Sequence, residues 1–92
     1  MEILHIDNES KGLFKAVDNG KEAGRMTYAW AGDKRFIIDH TEVRSEYSGK
    51  GVGKQMVLAA VEYARTQNVK ILPLCPFAKA VFAKTPEIKD VL

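Results

Sequence analysis

The sequence predicts a mixed α/β protein of the α+β kind, with four antiparallel strands followed by helix, strand and helix in the order β-β-β-β-α-β-α. Three observations predict it. Met26, Tyr28 and Trp30 alternate with Thr27, Ala29 and Ala31, the period of a strand. From Gly51 to Asn68 the apolar positions recur at helical spacing instead. Between the early apolar runs stand Asn19-Gly20 and Gly32-Asp33-Lys34, residues suited to tight turns.

The elements follow in order. Ile3 to Ile6 and Leu13 to Val17 are short apolar runs, separated by a polar stretch from Asp7 to Gly12. The alternating aromatic run is the third strand. Tyr28 and Trp30 fall on one of its faces, where aromatics most often fill a core. Arg35 to Val43, centred on Phe36-Ile37-Ile38, is the fourth strand. In the helix, Val52, Met56, Ala59, Ala60, Tyr63 and Ala64 form one face, widened by Val57, Leu58 and Val61. Asn68 stops the helix, with Arg65 in its last turn. Lys70 to Cys75 reads as a fifth strand whose Pro73 demands an edge or a bulge. Pro76 starts a short helix over Phe77 to Lys84, and Pro86 ends it. Ile88, Val91 and Leu92 then give the final segment an apolar side with which to dock.

Ninety-two residues suffice for one hydrophobic core, so residues 1–92 are expected to be a single domain. The net charge of +2 arises from 14 basic and 12 acidic residues spread along the chain, which argues against a nucleic-acid binder. No apolar run is long enough to span a bilayer, and the first residues do not read as a secretory signal. One cysteine permits no internal disulfide and no thiolate zinc cluster. The expectation is a cytoplasmic protein with no membrane or metal role. Oligomeric state is not encoded in any visible pattern.

The chemistry-bearing stretch runs from Val43 to Lys54. Gly49, Gly51 and Gly53 lie between a strand and a strong helix, with Lys50 and Lys54 beside them. Amides at a helix start lack intrahelical acceptors, and the helix dipole favours an anion there. The plainer reading is a flexible connection with solvated lysines. Two familiar phosphate motifs do not fit. A P-loop needs glycine where this chain has Ser48 and Ser or Thr where it has Gln55. A dinucleotide fingerprint needs a third glycine where Met56 stands, within a βαβ unit.

The stretch Asp39 to Val57 resembles the acetyl-CoA motif of the GNAT superfamily of acetyltransferases: a strand ending in Val, then Arg or Gln-x-x-Gly-x-Gly or Ala entering a helix. Val43, Gly51 and Gly53 match it, whereas Ser48 replaces the usual Arg or Gln. With Asp39-His40-Thr41-x-Val43 and Cys75-x-Phe77-Ala78-Lys79, residues 25 to 92 resemble a branch of small single-domain GNAT-like proteins often called YjdJ-like. The resemblance implies acetyl-CoA as cofactor and N-acetyl transfer to an amine acceptor of unknown identity. It implies that the backbone of Ser48, Gly49, Lys50, Gly51, Val52, Gly53 and Lys54 holds the pyrophosphate, while Glu42 and Val43 bind the pantetheine arm. It also implies an open acceptor side, because this chain has no helices between its first two strands.

Two residues are catalytic candidates. Cys75 ends the fifth strand directly before a helix, whose N-terminus stabilises negative charge on its sulfur. The resemblance sets that position beside the thioester, where Cys75 would accept the acetyl group or serve as an acid; the plainer reading is a buried structural thiol. His40 would activate Cys75 or take the amine proton, against the plainer reading of a hydrogen-bonded strand histidine. Strict alternation sets Asp39 opposite His40. The carboxylate base common in the superfamily falls at Ile37 or Ile38 here, so the base is unassigned. His5 stands in no motif and reads as incidental. A non-catalytic acyl-CoA-binding module is the alternative function, and an adaptor for an acidic protein partner the third.

Overall fold

In the computed structural model, which describes residues 1–92, β1 (Glu2–Asp7), β2 (Lys11–Asp18), β3 (Lys21–Trp30) and β4 (Arg35–Val43) precede a single turn of 3-10 helix at Ser45–Tyr47. Then come α1 (Val52–Gln67), β5 (Lys70–Pro73), α2 (Pro76–Lys84) and a 3-10 segment over Pro86–Val91. The five strands form one sheet in sequence order, antiparallel from β1 to β4 and parallel between β4 and β5. Both Asn19 (φ 50°) and Gly20 (φ 82°) adopt the left-handed conformation, giving the type I′ turn that matches strand twist.

One face of the sheet is covered by the helices and the other is open. Phe14, Met26, Tyr28, Phe36 and Ile38 point toward α1, which returns Val52, Met56, Val57, Ala60, Val61 and Ala64. Small side chains at Ala16, Ala23, Ala60 and Ala64 let the helix lie close to the strands, and all four are fully buried. Asn68 ends α1 in the left-handed conformation, its amide bonded to the Ala64 and Arg65 carbonyls. Pro73 is tolerated because β5 is an edge strand. The final segment docks through buried Ile88 and Val91, and Arg65 grips it by a two-pronged bond to Asp90 (2.7 and 3.1 Å). Leu92 remains half exposed.

Two departures from simple patterning position the site. The parallel pairing of β4 with β5 stops at Ile38 opposite Pro73. The next two amides, Leu74 and Cys75, both donate to the Ile38 carbonyl at 3.0 and 3.2 Å as β5 turns away. From Asp39 to Val43, β4 therefore has β3 on one side and no strand on the other. At the same place β4 bulges: Tyr28 pairs with Ile38 but Thr27 with His40, which leaves Asp39 as the extra residue. The bulge reverses the parity of the strand. Thr41 pairs with buried Met26 and takes the helix face, while His40 pairs with Thr27 on the open face. Asp39 also turns to Thr27, whose hydroxyl donates to its Oδ1 at 2.5 Å. The expectation that Asp39 opposes His40 is thus overturned, because the bulge breaks the period of two.

Candidate functional site

The glycine-bearing connection follows Val43, at the end of the β4 stretch that β5 has left. Gly49 (φ 77°) and Gly51 (φ 74°) are left-handed, a conformation that side chains strain to adopt, and Gly51 caps α1 without any side-chain acceptor. The first backbone bond of α1 runs from the Gln55 amide to the Gly51 carbonyl at 3.0 Å. The amides of Gly51, Val52, Gly53 and Lys54 donate to no group in the protein. No acidic side chain lies in that first turn. Four unpaired donors at the positive end of a 16-residue helix make a strong local demand for an anion.

These amides border a groove of about 520 Å³, a size suited to a small-molecule ligand. Of the residues predicted from sequence, Val43, Ser48, Gly49, Gly51, Val52, Gly53 and Lys54 line it. Lys50 stands beside it with its ammonium 5.8 Å from the centre of the Tyr47 ring. Neither Lys50 nor Lys54 is engaged by a carboxylate. Ser45 and Tyr47, inside the predicted stretch but given no role of their own, also line it, as does Phe77, which sequence reasoning did not assign to the site. Burial, reinforced by nearby Asp18, pushes the Tyr47 phenol up, so it stays neutral at physiological pH.

Cys75 sits where the strands part. It is the N-cap of α2, and its Sγ accepts the Ala78 amide at 3.3 Å. The Thr41 hydroxyl lies 3.3 Å from the same sulfur, and the residue is 6% exposed. Thr41 is a neighbour that alternation hid, since without the bulge it would face the open side. His40 does not join this pair. Its ring is largely exposed on the open face, with Nε2 3.3 Å from Oε1 of Glu42. The expectation that His40 activates Cys75 is corrected accordingly: the parity reversal at Asp39 sends the two side chains to opposite faces of β4. Glu42 likewise stands outside the groove with His40, although Val43 forms its lip.

His5 also needs correction, for it is not incidental. Its Nε2 lies 2.6 Å from the Tyr28 hydroxyl, and its ring stacks on Phe14 at 4.2 Å. The same hydroxyl donates to Asp7 at 2.5 Å, and the Trp30 indole donates to that oxygen at 2.8 Å. Burial depresses the His5 imidazole. Burial raises Asp7, but bonds from Tyr28, the Glu9 amide and Trp30 outweigh it and hold the carboxyl below its ordinary range. The Tyr28 phenol is pushed far up by burial and by Asp7. This network ties β1 to β3 across β2, at the other end of the sheet from the groove.

Comparison with known proteins decides the family. The profile described as GCN5-related N-acetyl-transferase matches residues 13–91. The chain belongs to that family. Among solved structures, a GCN5-like protein from Staphylococcus aureus, proposed to be an N-acetyltransferase and determined by NMR, is 37% identical. It aligns with 98% of this chain and 85% of its own, at a TM-score of 0.71. The ribosomal-protein-S18-alanine N-acetyltransferase from Escherichia coli superposes at 0.72, with 17% identity over 85% of this chain and 53% of the enzyme. An aminoglycoside 6'-N-acetyltransferase complexed with coenzyme A gives 0.62, with 17% identity over 70% and 37%. These last two show the fold alone, and the GCN5-related chain described here spans about half of their length or less. No curated protein matched by sequence.

Proposed function

We propose that this GCN5-related N-acetyltransferase uses acetyl-CoA, held with its pyrophosphate on the amides of Gly51, Val52, Gly53 and Lys54. One observation carries the reading: four unpartnered helix-start donors border an open groove at the far end of the β4 stretch that has no β5 neighbour. The chain fits a phosphorylated ligand by donors, charge and space. Lys50 and Lys54 add positive charge, and the unpaired edge of β4 at Val43 offers backbone groups to the ligand's amide-bearing arm, whereas the main chain of Glu42 is turned toward β3. When bound, acetyl-CoA supplies an acetyl group activated as a thioester.

The remaining roles belong to the chain. Cys75, at the apex of the split and at the start of α2, two residues before the groove-lining Phe77, is the group assigned to the reacting end. Its sulfur already accepts an amide hydrogen, an arrangement that supports negative charge there. Thr41 orients that sulfur. On the other face of β4, His40 backed by Glu42 stands exposed where an amine acceptor has free access, and its imidazole is the group assigned to take the proton that the amine gives up. Acceptor amine and Cys75 thus meet the split from opposite faces. A non-catalytic acyl-CoA-binding module is favoured by one specific observation. Ser48 occupies the place of the usual Arg or Gln, and its hydroxyl supplies no cation.

Thermal melts test the cofactor assignment. Acetyl-CoA raises the melting temperature, and Gly51→Glu, which sets a carboxylate and strained backbone at the helix start, abolishes the rise. Absence of any rise for the unaltered protein at millimolar acetyl-CoA sinks the proposal. Intact mass after incubation with acetyl-CoA then assigns Cys75. An acetyl adduct lost in Cys75→Ser marks a covalent acceptor; turnover without an adduct marks an acid; binding with neither marks the module.

A further inference from the structure

Gly53 has an ordinary helical backbone, so no positive φ explains its presence. What it faces does explain it. A Cβ added at Gly53 would overlap the ring of Phe77, meeting Cζ and Cε2 first. Phe77 belongs to the first turn of α2, two residues after Cys75, and its ring is 41% exposed although it is a large apolar group. The exposed side of that ring forms part of the wall of the groove at the glycine-bearing connection. Gly53 is itself buried. The ring therefore rests on the missing side chain of Gly53 on one side and faces the ligand space on the other.

We infer that Phe77 is a positioning residue that fixes the width of the cofactor groove, and that Gly53 is glycine in order to seat its ring, rather than to admit the ligand. The inference rests on the groove's being the CoA site. A methyl group at position 53 displaces the ring, and the free volume available to receive it is the groove. Filling that space weakens the ligand without any direct clash between residue 53 and the ligand. The Gly53 amide remains a donor throughout, because its N–H does not depend on the side chain.

A double-mutant cycle on the full chain separates the two explanations, with CoA as the probe and calorimetric titration as the readout. Gly53→Ala alone weakens CoA by about tenfold or more. Phe77→Ala alone, losing one wall, weakens it by a few-fold. Adding Gly53→Ala to Phe77→Ala costs nothing further, so the double variant binds as Phe77→Ala does. If the two losses instead multiply, the glycine serves the ligand directly and the inference is wrong. Melting curves without ligand give a second, independent reading. In the Phe77→Ala background, Gly53→Ala replaces a helical glycine with the best helix former and raises the melting temperature by about 4 °C. In the unaltered background it lowers it or leaves it unchanged. An equal rise in both backgrounds overturns the inference even if CoA binds normally. Failure of the unaltered protein to bind CoA overturns the site assignment, a result visible before any variant is made.

Discussion

Two glycines in this molecule each make room for an aromatic ring, at opposite ends of one sheet, and the rings meet opposite fates. Gly12 on β2 lets the Tyr28 ring cross the strand, since a Cβ there would overlap Cζ and Oη of that tyrosine. Tyr28 is 1% exposed, and its hydroxyl is held by His5 and Asp7. Gly53 on α1 seats Phe77, which is 41% exposed and bonded to nothing. In the first arrangement every buried side-chain polar atom is satisfied, although Gly12 and Tyr28 also border a hollow of about 360 Å³. The second adjoins four backbone donors with no acceptor. The same local device, a glycine opposite a ring, stands among satisfied polar groups at one end and beside unmet donors at the other. Unmet polar groups beside open volume are what distinguish a binding region from a packed one.

Breaking the closed side gives the largest effect. Gly12→Ala forces Tyr28 from its place in a filled core and costs about 3 kcal/mol. For a chain this short that is a fall of roughly 12 °C or more in melting temperature. A chemical-denaturation series measures it, and an unchanged midpoint would show that the ring does not cross at Gly12. Tyr28→Phe keeps the ring and removes only the hydroxyl. It costs about 1 kcal/mol, because Asp7 keeps its bonds from Trp30 and the Glu9 amide. Neither change alters the groove, so CoA affinity of the folded fraction is unaffected in both.

Acid sharpens the comparison further. His5 is depressed in the folded protein, so it contributes stability above its ordinary value of 6.5 that is lost as pH falls through the lower folded value. Asp7 is depressed too, so its contribution is present above 3.8 and lost as pH falls through its folded value. The protein is therefore expected to lose stability in two stages on acidification. Glu22, Glu46 and Asp90 are also depressed by cationic partners and add to the second stage. Urea midpoints between pH 7 and pH 3 for the unaltered protein and His5→Gln isolate the first stage. The variant should show no loss near pH 6, the smallest of these effects.

Most of the architecture was legible because it rests on local patterns. Alternation named β3, helical spacing named α1, Asn19-Gly20 named a turn and Pro73 pointed to an edge or a bulge. The glycine-bearing connection was legible for the same reason, since glycines before an apolar helix are adjacent in sequence. The bulge at Asp39 was not, because no glycine or proline marks it; it coincides with the departure of β5 from β4. Its consequence, that Thr41 and not His40 reaches Cys75, depends on a parity change that sequence spacing does not record. The His5 network was hidden for a different reason. Its partners lie 21 to 23 residues apart and meet only because Gly12 lets Tyr28 span a strand. Gly53 was readable as a glycine of the loop but not as the seat of Phe77, which comes from another helix.

The central claim is that the amides at the start of α1 receive the pyrophosphate of CoA. Titration of nitrogen-15-labelled protein with CoA, followed by amide chemical shifts, tests it most directly. Saturable shifts centred on Gly51, Val52, Gly53 and Lys54, with Gly20 and Gly32 unmoved, are the predicted result. Shifts confined to the open face around Thr27 and Asp39, or none at millimolar CoA, would contradict it.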